Sequence, residues 1–119
     1  MEQVQASKFK VVFLEDASDF LNSLDEKIRD KIIYNITKAR YSNDKELFKK
    51  LTDEILEFRT LFNKTHYRLF AFWDKLDKTD TIVISTHGLI KKTNKTPQGE
   101  LDKAEFLRKK YFELKDPKK

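Results

Sequence analysis

The stretch ILEFRTLFNKTHYRLFAFW, residues 55–73, decides the fold of this chain. Its two halves, 55–62 and 66–73, are rich in aromatic and branched apolar residues, and the NKT between them is typical of a tight turn. A third run of this kind, TIVISTH at 81–87, follows the polar segment DKLDKTD. The three runs predict an antiparallel meander of three strands.

Alternation along these strands assigns side chains to faces, because successive residues of a strand point to opposite sides. One side of the first run and one side of the second carry these residues: Glu57, Arg59 and Leu61, and His66, Arg68, Phe70 and Phe72. Arg59 and Arg68 therefore share a face if the turn sets that register. A slip of one residue would send every side chain of one strand to the other face.

The residues before the meander predict one strand and two helices. FKVVFL at 9–14 reads as an N-terminal strand. Apolar residues then recur every three or four positions from 20 to 39, which predicts a long helix or a helical hairpin. A break near Leu24 and Asp25 favours the hairpin, since Asp25 can cap a second helix. Residues 42–51 predict a short helix or turn.

The residues after the meander predict a basic connection over 88–99 and a C-terminal helix. Thr96 and Pro97 suit its N-cap and first turn, and the tail 115–119 is expected to fray. The order is βααβββα, an α+β domain whose antiparallel sheet can be covered by helices on one face and open on the other.

Length and composition bound the class of protein. The 119 residues, 39% of them hydrophobic, suit a single domain over 1–119. The chain has no Cys, which excludes disulfides, thiolate zinc sites and a cysteine nucleophile and agrees with a reducing cytoplasm. Two histidines without an HExxH spacing predict no metal site and no cofactor. No apolar run approaches the ~20 residues of a membrane span and no secretory leader is visible, so we expect a cytoplasmic protein without a membrane partner.

The net charge of +5 is concentrated in the second half of the chain. Residues 1–58 have 10 Lys and Arg against 12 Asp and Glu, whereas residues 59–119 have 15 against 8. Within the second half, 58–73 and 81–99 each hold three cations, one histidine and no acid. A basic, acid-free surface with interleaved aromatics is typical of polyanion binding. The alternative is a solvated surface that happens to be basic.

Three motifs in order resemble a known family: EFR at 57–59, YR at 67–68, and HGLIKKTNKTP at 87–97, followed by a helix with Ala104. Together they resemble the RelE/HigB superfamily of bacterial type II toxins, most closely its phage-derived HigB-like branch. The resemblance implies a RelE/ParE-like fold and a usually ribosome-dependent mRNA endoribonuclease that inhibits translation. It also implies a cognate antitoxin that is similar to the helix-turn-helix HigA proteins. The toxin would contact operator DNA only through this antitoxin.

The resemblance carries roles onto particular residues. The strand arginine of the family's YR element falls on Arg68, and the arginine of its ELR-like element falls on Arg59. The basic element falls on Lys91, Lys92 and Lys95. A histidine often precedes that element in this branch, and here it is His87.

Two further residues of the acid-free stretch, Lys64 and His66, are assigned to RNA binding without support from the family. Catalytic residues vary between family members, so the general acid and base stay open.

The chemistry expected of such a protein restricts the roles. Attack of a ribose 2′-hydroxyl on the adjacent phosphorus needs a proton acceptor, a proton donor and cations. Arginines stay protonated, so Arg59 and Arg68 can clamp the phosphate but cannot act as the base. Lys91, if desolvated, can take a proton. Histidine titrates nearest neutrality, which makes His87 the preferred acid or base and His66 the second choice.

Each group also has a structural interpretation. Glu57 and Arg59 can form an ordinary surface ion pair, His87 can be structural, and the lysines at 91–95 can be a solvated loop. Other classes of function are a ParE-like toxin that inhibits gyrase without cutting RNA, a nucleic-acid-binding module without turnover, and an inactive relative.

Overall fold

Five strands and three helices are found in the part of the chain that the computed structural model describes, residues 9–42, 44–75, 82–91 and 96–115. This small α+β domain confirms the predicted fold class. The elements in chain order are β1 (Lys10–Phe13), α1 (Glu15–Asn22), α2 (Glu26–Arg40), β2 (Phe48–Lys50), β3 (Leu56–Phe62), β4 (Thr65–Asp74), β5 (Ile82–Lys91) and α3 (Gln98–Lys115).

The sheet has the strand order β1-β5-β4-β3-β2. Strands β3, β4 and β5 form the predicted antiparallel meander, but β1 pairs with β5 in parallel, so the sheet is mixed. Strand β2 was not predicted, because residues 42–51 read as a helix or turn. It forms because Phe48 lies opposite Phe58 and the two rings stack at 4.4 Å between centroids.

A two-residue turn sets the register of the β3–β4 hairpin. Asn63 and Lys64 both have positive φ, 48° and 65°, as the tight turns that suit a twisted hairpin require. The turn places Arg59 directly opposite Arg68. The prediction that the two arginines share a face is therefore confirmed.

One face of the sheet packs against α1 and α2. Leu21 of α1 and Ile36 of α2 belong to the same core cluster as Phe58 and Leu69 of the sheet. Gly88 allows α1 to approach closely, since a Cβ built on this residue would lie 2.1 Å from the Phe20 ring.

The opposite face is covered in part by α3, so the prediction that one face is open is wrong. Ala104 packs with Phe70 of β4, and Tyr111 packs edge-on against Phe72 at 5.3 Å between ring centroids. The Tyr111 hydroxyl donates a 2.6 Å hydrogen bond to the fully buried carboxylate of Asp74. The helix thus runs along β4 towards its C-terminal end.

Two predicted boundaries are corrected. Strand β5 continues to Lys91, so 88–91 are strand rather than part of the basic connection predicted at 88–99, and α3 already begins at Gln98. The extension forms because residues 88–91 remain paired with β4 up to His66 opposite Lys91. Lys115, predicted to lie in a frayed tail, is helical, with its Nζ 2.5 Å from Asp74. The rest of that tail, 116–119, lies outside the described residues.

Among the described helices, none is both long enough and apolar enough to cross a membrane.

Candidate functional site

Three cations and one carboxylate meet on the α3 side of the sheet, at the end near the β3–β4 hairpin. Glu57 and Arg59 come from β3, Arg68 from β4 and Lys91 from β5. Their side chains share a face because the residues alternate in register across the three strands. We refer to these four residues as the cationic cluster.

Glu57 links the two arginines. Its Oε1 lies 3.3 Å from Arg68 Nη1 and 3.5 Å from Arg59 Nε. The predicted Glu57–Arg59 ion pair is therefore present, but it is not an ordinary surface pair, since the Glu57 side chain is only 4% exposed. Among the described residues, the cluster holds one carboxylate and three cations in a poorly solvated place, a composition that suits an anion.

Burial changes the protonation energetics of the cluster. Desolvation lowers the pKa of Arg68, with the charge of Glu57 opposing this effect and that of Arg59 adding to it. Desolvation also lowers the pKa of Lys91, helped by repulsion from Arg68. The Lys91 ammonium donates a 3.0 Å hydrogen bond to the hydroxyl of Thr96, the residue predicted as the N-cap of α3.

The members of the cluster differ in accessibility. Arg59 keeps 22% of its side chain exposed, whereas Arg68 and Lys91 are buried. A ligand can therefore reach Arg59 directly, and Arg68 contributes its charge while holding Glu57. His66 is half-buried and lies opposite Lys91 on the same face, so it is the histidine nearest in register to the cluster.

His87 lies in different surroundings. Its buried ring stacks on Phe70 at 4.8 Å, its Nδ1 is 3.0 Å from the Thr86 hydroxyl, and its Nε2 is 3.8 Å from Glu100 of α3. Burial lowers the pKa of His87 to about 4, with Lys103 as the next cause.

The structure therefore does not bring His87 into the cluster. Along β5, His87 lies four positions from Lys91, about 13 Å, and two positions from Leu89, the residue opposite Arg68. Its ring is buried against Phe70 and beside Glu100 of α3. Its acid–base role stays a prediction, and the geometry favours His66 for that role.

The other predicted RNA-binding lysines are only partly described. Lys64 is exposed at the tip of the β3–β4 hairpin. Lys92 and Lys95 lie outside the described residues. Within the part of the chain that is described, no three His, Asp or Glu side chains come together as a metal site would require.

A cleft beside the cluster includes two residues that the sequence analysis missed. It has a volume of about 360 Å³ and is lined by Lys31 and Lys38 of α2 as well as by Arg59, His66 and Arg68. Lys31 and Lys38 belong to the acidic half of the chain and therefore did not stand out. Their spacing of seven residues, which puts both on one helix face, was the available signal.

The fold and the site define a small α+β protein with a basic cleft beside a mixed sheet. A family model for phage derived protein Gp49-like (DUF891) matches residues 19–109. The chain belongs to this phage-derived family, which is toxin-like and of the RelE type in general. No curated protein matches the chain.

Proposed function

We propose that this protein is the toxin of a type II toxin–antitoxin system, of the HigB-like branch, and acts as a ribosome-dependent, metal-independent mRNA endoribonuclease. The observation that carries the proposal is the pairing of Arg59 with Arg68 across β3 and β4, beside Lys91 and around one shared carboxylate. Membership of a toxin-like family supports it.

The cluster suits the charge that develops in RNA cleavage. Attack of a ribose 2′-oxygen on phosphorus adds negative charge to the phosphate oxygens. Arg59, the accessible member, can hold two of those oxygens through its guanidinium fork. The buried charges of Arg68 and Lys91 stabilise the same transition state at short range, where little water screens them.

His66 is proposed as the base that accepts the 2′-hydroxyl proton, and the leaving 5′-oxygen takes its proton from solvent. His66 lies on the same face as the arginines and is partly accessible, and an imidazole can accept a proton. His87 is neutral at pH 7, but its ring is buried against Phe70 and beside α3, so it is less accessible to a substrate than His66. Lys64, Lys92 and Lys95 are proposed to bind phosphates that flank the cut.

The proposed partners follow from this activity. A cognate antitoxin, similar to helix-turn-helix HigA proteins, would neutralise the toxin and alone contact operator DNA, and mRNA on the ribosome would be the substrate in the bacterial cytoplasm. The excess of cations supports binding of an acidic partner segment. Co-expression with the product of the neighbouring gene should restore growth and yield a co-purifying complex, and failure of both would refute the partnership.

Induced expression in bacteria tests the proposed activity. Wild type, Arg59→Ala and the control Lys109→Ala, an exposed lysine of α3, would be compared for growth and for newly formed mRNA ends. We expect arrest and new ends with wild type and the control, and neither with Arg59→Ala. Arrest without new ends would contradict the nuclease, and accompanying loss of DNA supercoiling would favour a ParE-like toxin.

A further inference from the structure

A hydrogen bond between α2 and β3 determines what lies beside the cationic cluster. The buried Asn35 amide donates a 3.1 Å bond to the buried hydroxyl of Thr60, the neighbour of Arg59 on β3. Lys31 lies one helical turn before Asn35, and Lys38 lies one turn after it. The bond therefore holds both lysines along β3, beyond the point where β2 ends its pairing with β3.

The cleft between α2 and the β3–β4 hairpin is continuous with the proposed site. Lys31 and Lys38 line it together with Arg59 and Arg68, and Glu46 is the one carboxylate in its lining as described. Glu57 pairs with both arginines, so four cations face two carboxylates here, and this excess attracts a polyanion. Leu61, which also lines the cleft, is 59% exposed and offers an apolar surface to a sugar or base.

An exposed aromatic ring lies on the same face of α2. Tyr34 falls between Lys31 and Lys38 in the helical spacing and is 59% exposed. The Lys31 ammonium is 5.2 Å from the ring centroid of Tyr34. Phosphate-binding lysines beside an accessible aromatic ring are the combination that single-stranded RNA uses, since its bases stack on such rings.

We propose that the part of the cleft lined by Lys31 and Lys38, with Tyr34 beside it on α2, binds the single-stranded RNA that flanks the phosphate held at the cationic cluster; we call this part the α2 groove. The inference rests on the proposed function and deepens it, because it extends the RNA site onto a helix from the acidic half of the chain. The strand passes over the edge of β3 between the cluster and α2.

Binding of two RNA lengths tests the groove. Labelled 2′-O-methyl oligonucleotides, which this chemistry cannot cleave, would be titrated with the full chain at lengths of about 4 and about 12 nucleotides. The double variant Lys31→Ala/Lys38→Ala would be compared with Lys109→Ala/Lys110→Ala, which removes the same charge from exposed positions on α3.

The expected result is specific to the long oligonucleotide. Wild type should bind the long oligonucleotide more tightly than the short one, and the α2 variant should lose this difference. The α2 variant should also reduce the slope of log K against log salt by about 1.4, since each phosphate contact on a single strand contributes about 0.7. Tyr34→Ala should weaken binding of the long oligonucleotide by about fivefold or more. The α3 control should keep the wild-type slope.

Other outcomes separate the groove from the proposed function. If the α2 variant binds both lengths as wild type does while Arg59→Ala loses both, the groove is refuted and the cluster stands. If the α2 variant loses the long RNA but Arg59→Ala changes neither length, the groove stands and the proposed site fails. Binding of polyglutamate but not RNA through Lys31 and Lys38 would refute the groove as an RNA site.

Discussion

At the scale of single residues, burial of His87 should make the free energy of unfolding depend on pH. The pKa of His87 is about 4 in the folded chain, whereas a solvated histidine has a pKa near 6.5. Between these values the unfolded chain binds a proton that the folded chain does not. The contribution of neutral His87 to the free energy of unfolding is therefore fully present above about pH 6.5. It is lost as the pH falls towards about 4, by about 3 kcal/mol in total.

Urea unfolding at pH about 7 and about 4.5 checks this prediction against His87→Asn, which keeps a polar atom near Thr86. Between pH about 7 and about 4.5, the free energy of unfolding should fall by about 2 kcal/mol more in wild type than in the variant. Equal losses would show that His87 is protonated as readily in the folded chain as in the unfolded one.

The backbone conformation of Lys64 in the β3–β4 turn predicts that a glycine there would stabilise the fold. Its φ of 65° lies in the left-handed region, which costs a residue with a Cβ about 1 kcal/mol and glycine nothing. Lys64→Gly should therefore raise the free energy of unfolding by up to about 1 kcal/mol. Lys64→Ala removes the same charge but keeps the backbone strain. The Lys64→Gly variant should therefore have a higher melting temperature than the Lys64→Ala variant. An alanine variant as stable as the glycine variant would contradict the turn geometry.

At the scale of elements, α3 is attached by polar contacts more than by a buried stripe. Ala104 is the one residue of the described helix that is fully buried. Tyr111 and Lys115 both contact the Asp74 carboxylate. Burial raises the pKa of Tyr111, and its hydrogen bond to Asp74 raises that pKa further, so the hydroxyl stays a donor at neutral pH.

Removing this donor should weaken the attachment of α3. Tyr111→Phe should cost about 1–2 kcal/mol, because the buried Asp74 loses a hydrogen bond. Hydrogen exchange should speed up in α3, and in β3 and β4 by no more than the loss of global stability accounts for. Tyr34→Phe, at an exposed tyrosine of α2, should have no effect. Unchanged exchange in α3 with Tyr111→Phe would show that the bond does not anchor the helix.

The elements also show what the sequence could predict. Strands β3 and β4 were predicted within one residue at each end, because alternation, aromatic content and the turn agree locally. Strand β2 was missed because only Phe58, distant along the chain from β2, makes Phe48 a strand residue. The end of β5 was missed because a glycine and two lysines resemble a loop until the pairing with β4 is known.

At the scale of the whole molecule, the fold determines which basic residues meet. The pairing of Arg59 with Arg68 follows from the hairpin, so the sequence could predict it. The burial of His87 depends on where α3 crosses the sheet, and the position of Lys31 depends on the bond between Asn35 and Thr60. The sequence spacing shows only that Lys31 and Lys38 share a helix face, and the surroundings of both His87 and Lys31 were therefore seen only in the structure.

Cleavage by the purified chain tests the central claim most directly. Wild type and Arg59→Ala would be incubated with an mRNA, naked and bound to ribosomes, and the new ends would be mapped and their chemistry determined. The account predicts cleavage by wild type on ribosomes, leaving 5′-hydroxyl and 2′,3′-cyclic phosphate ends, and at least ~100-fold less by a folded Arg59→Ala chain. No cleavage by wild type, or equal cleavage by both chains, would contradict it.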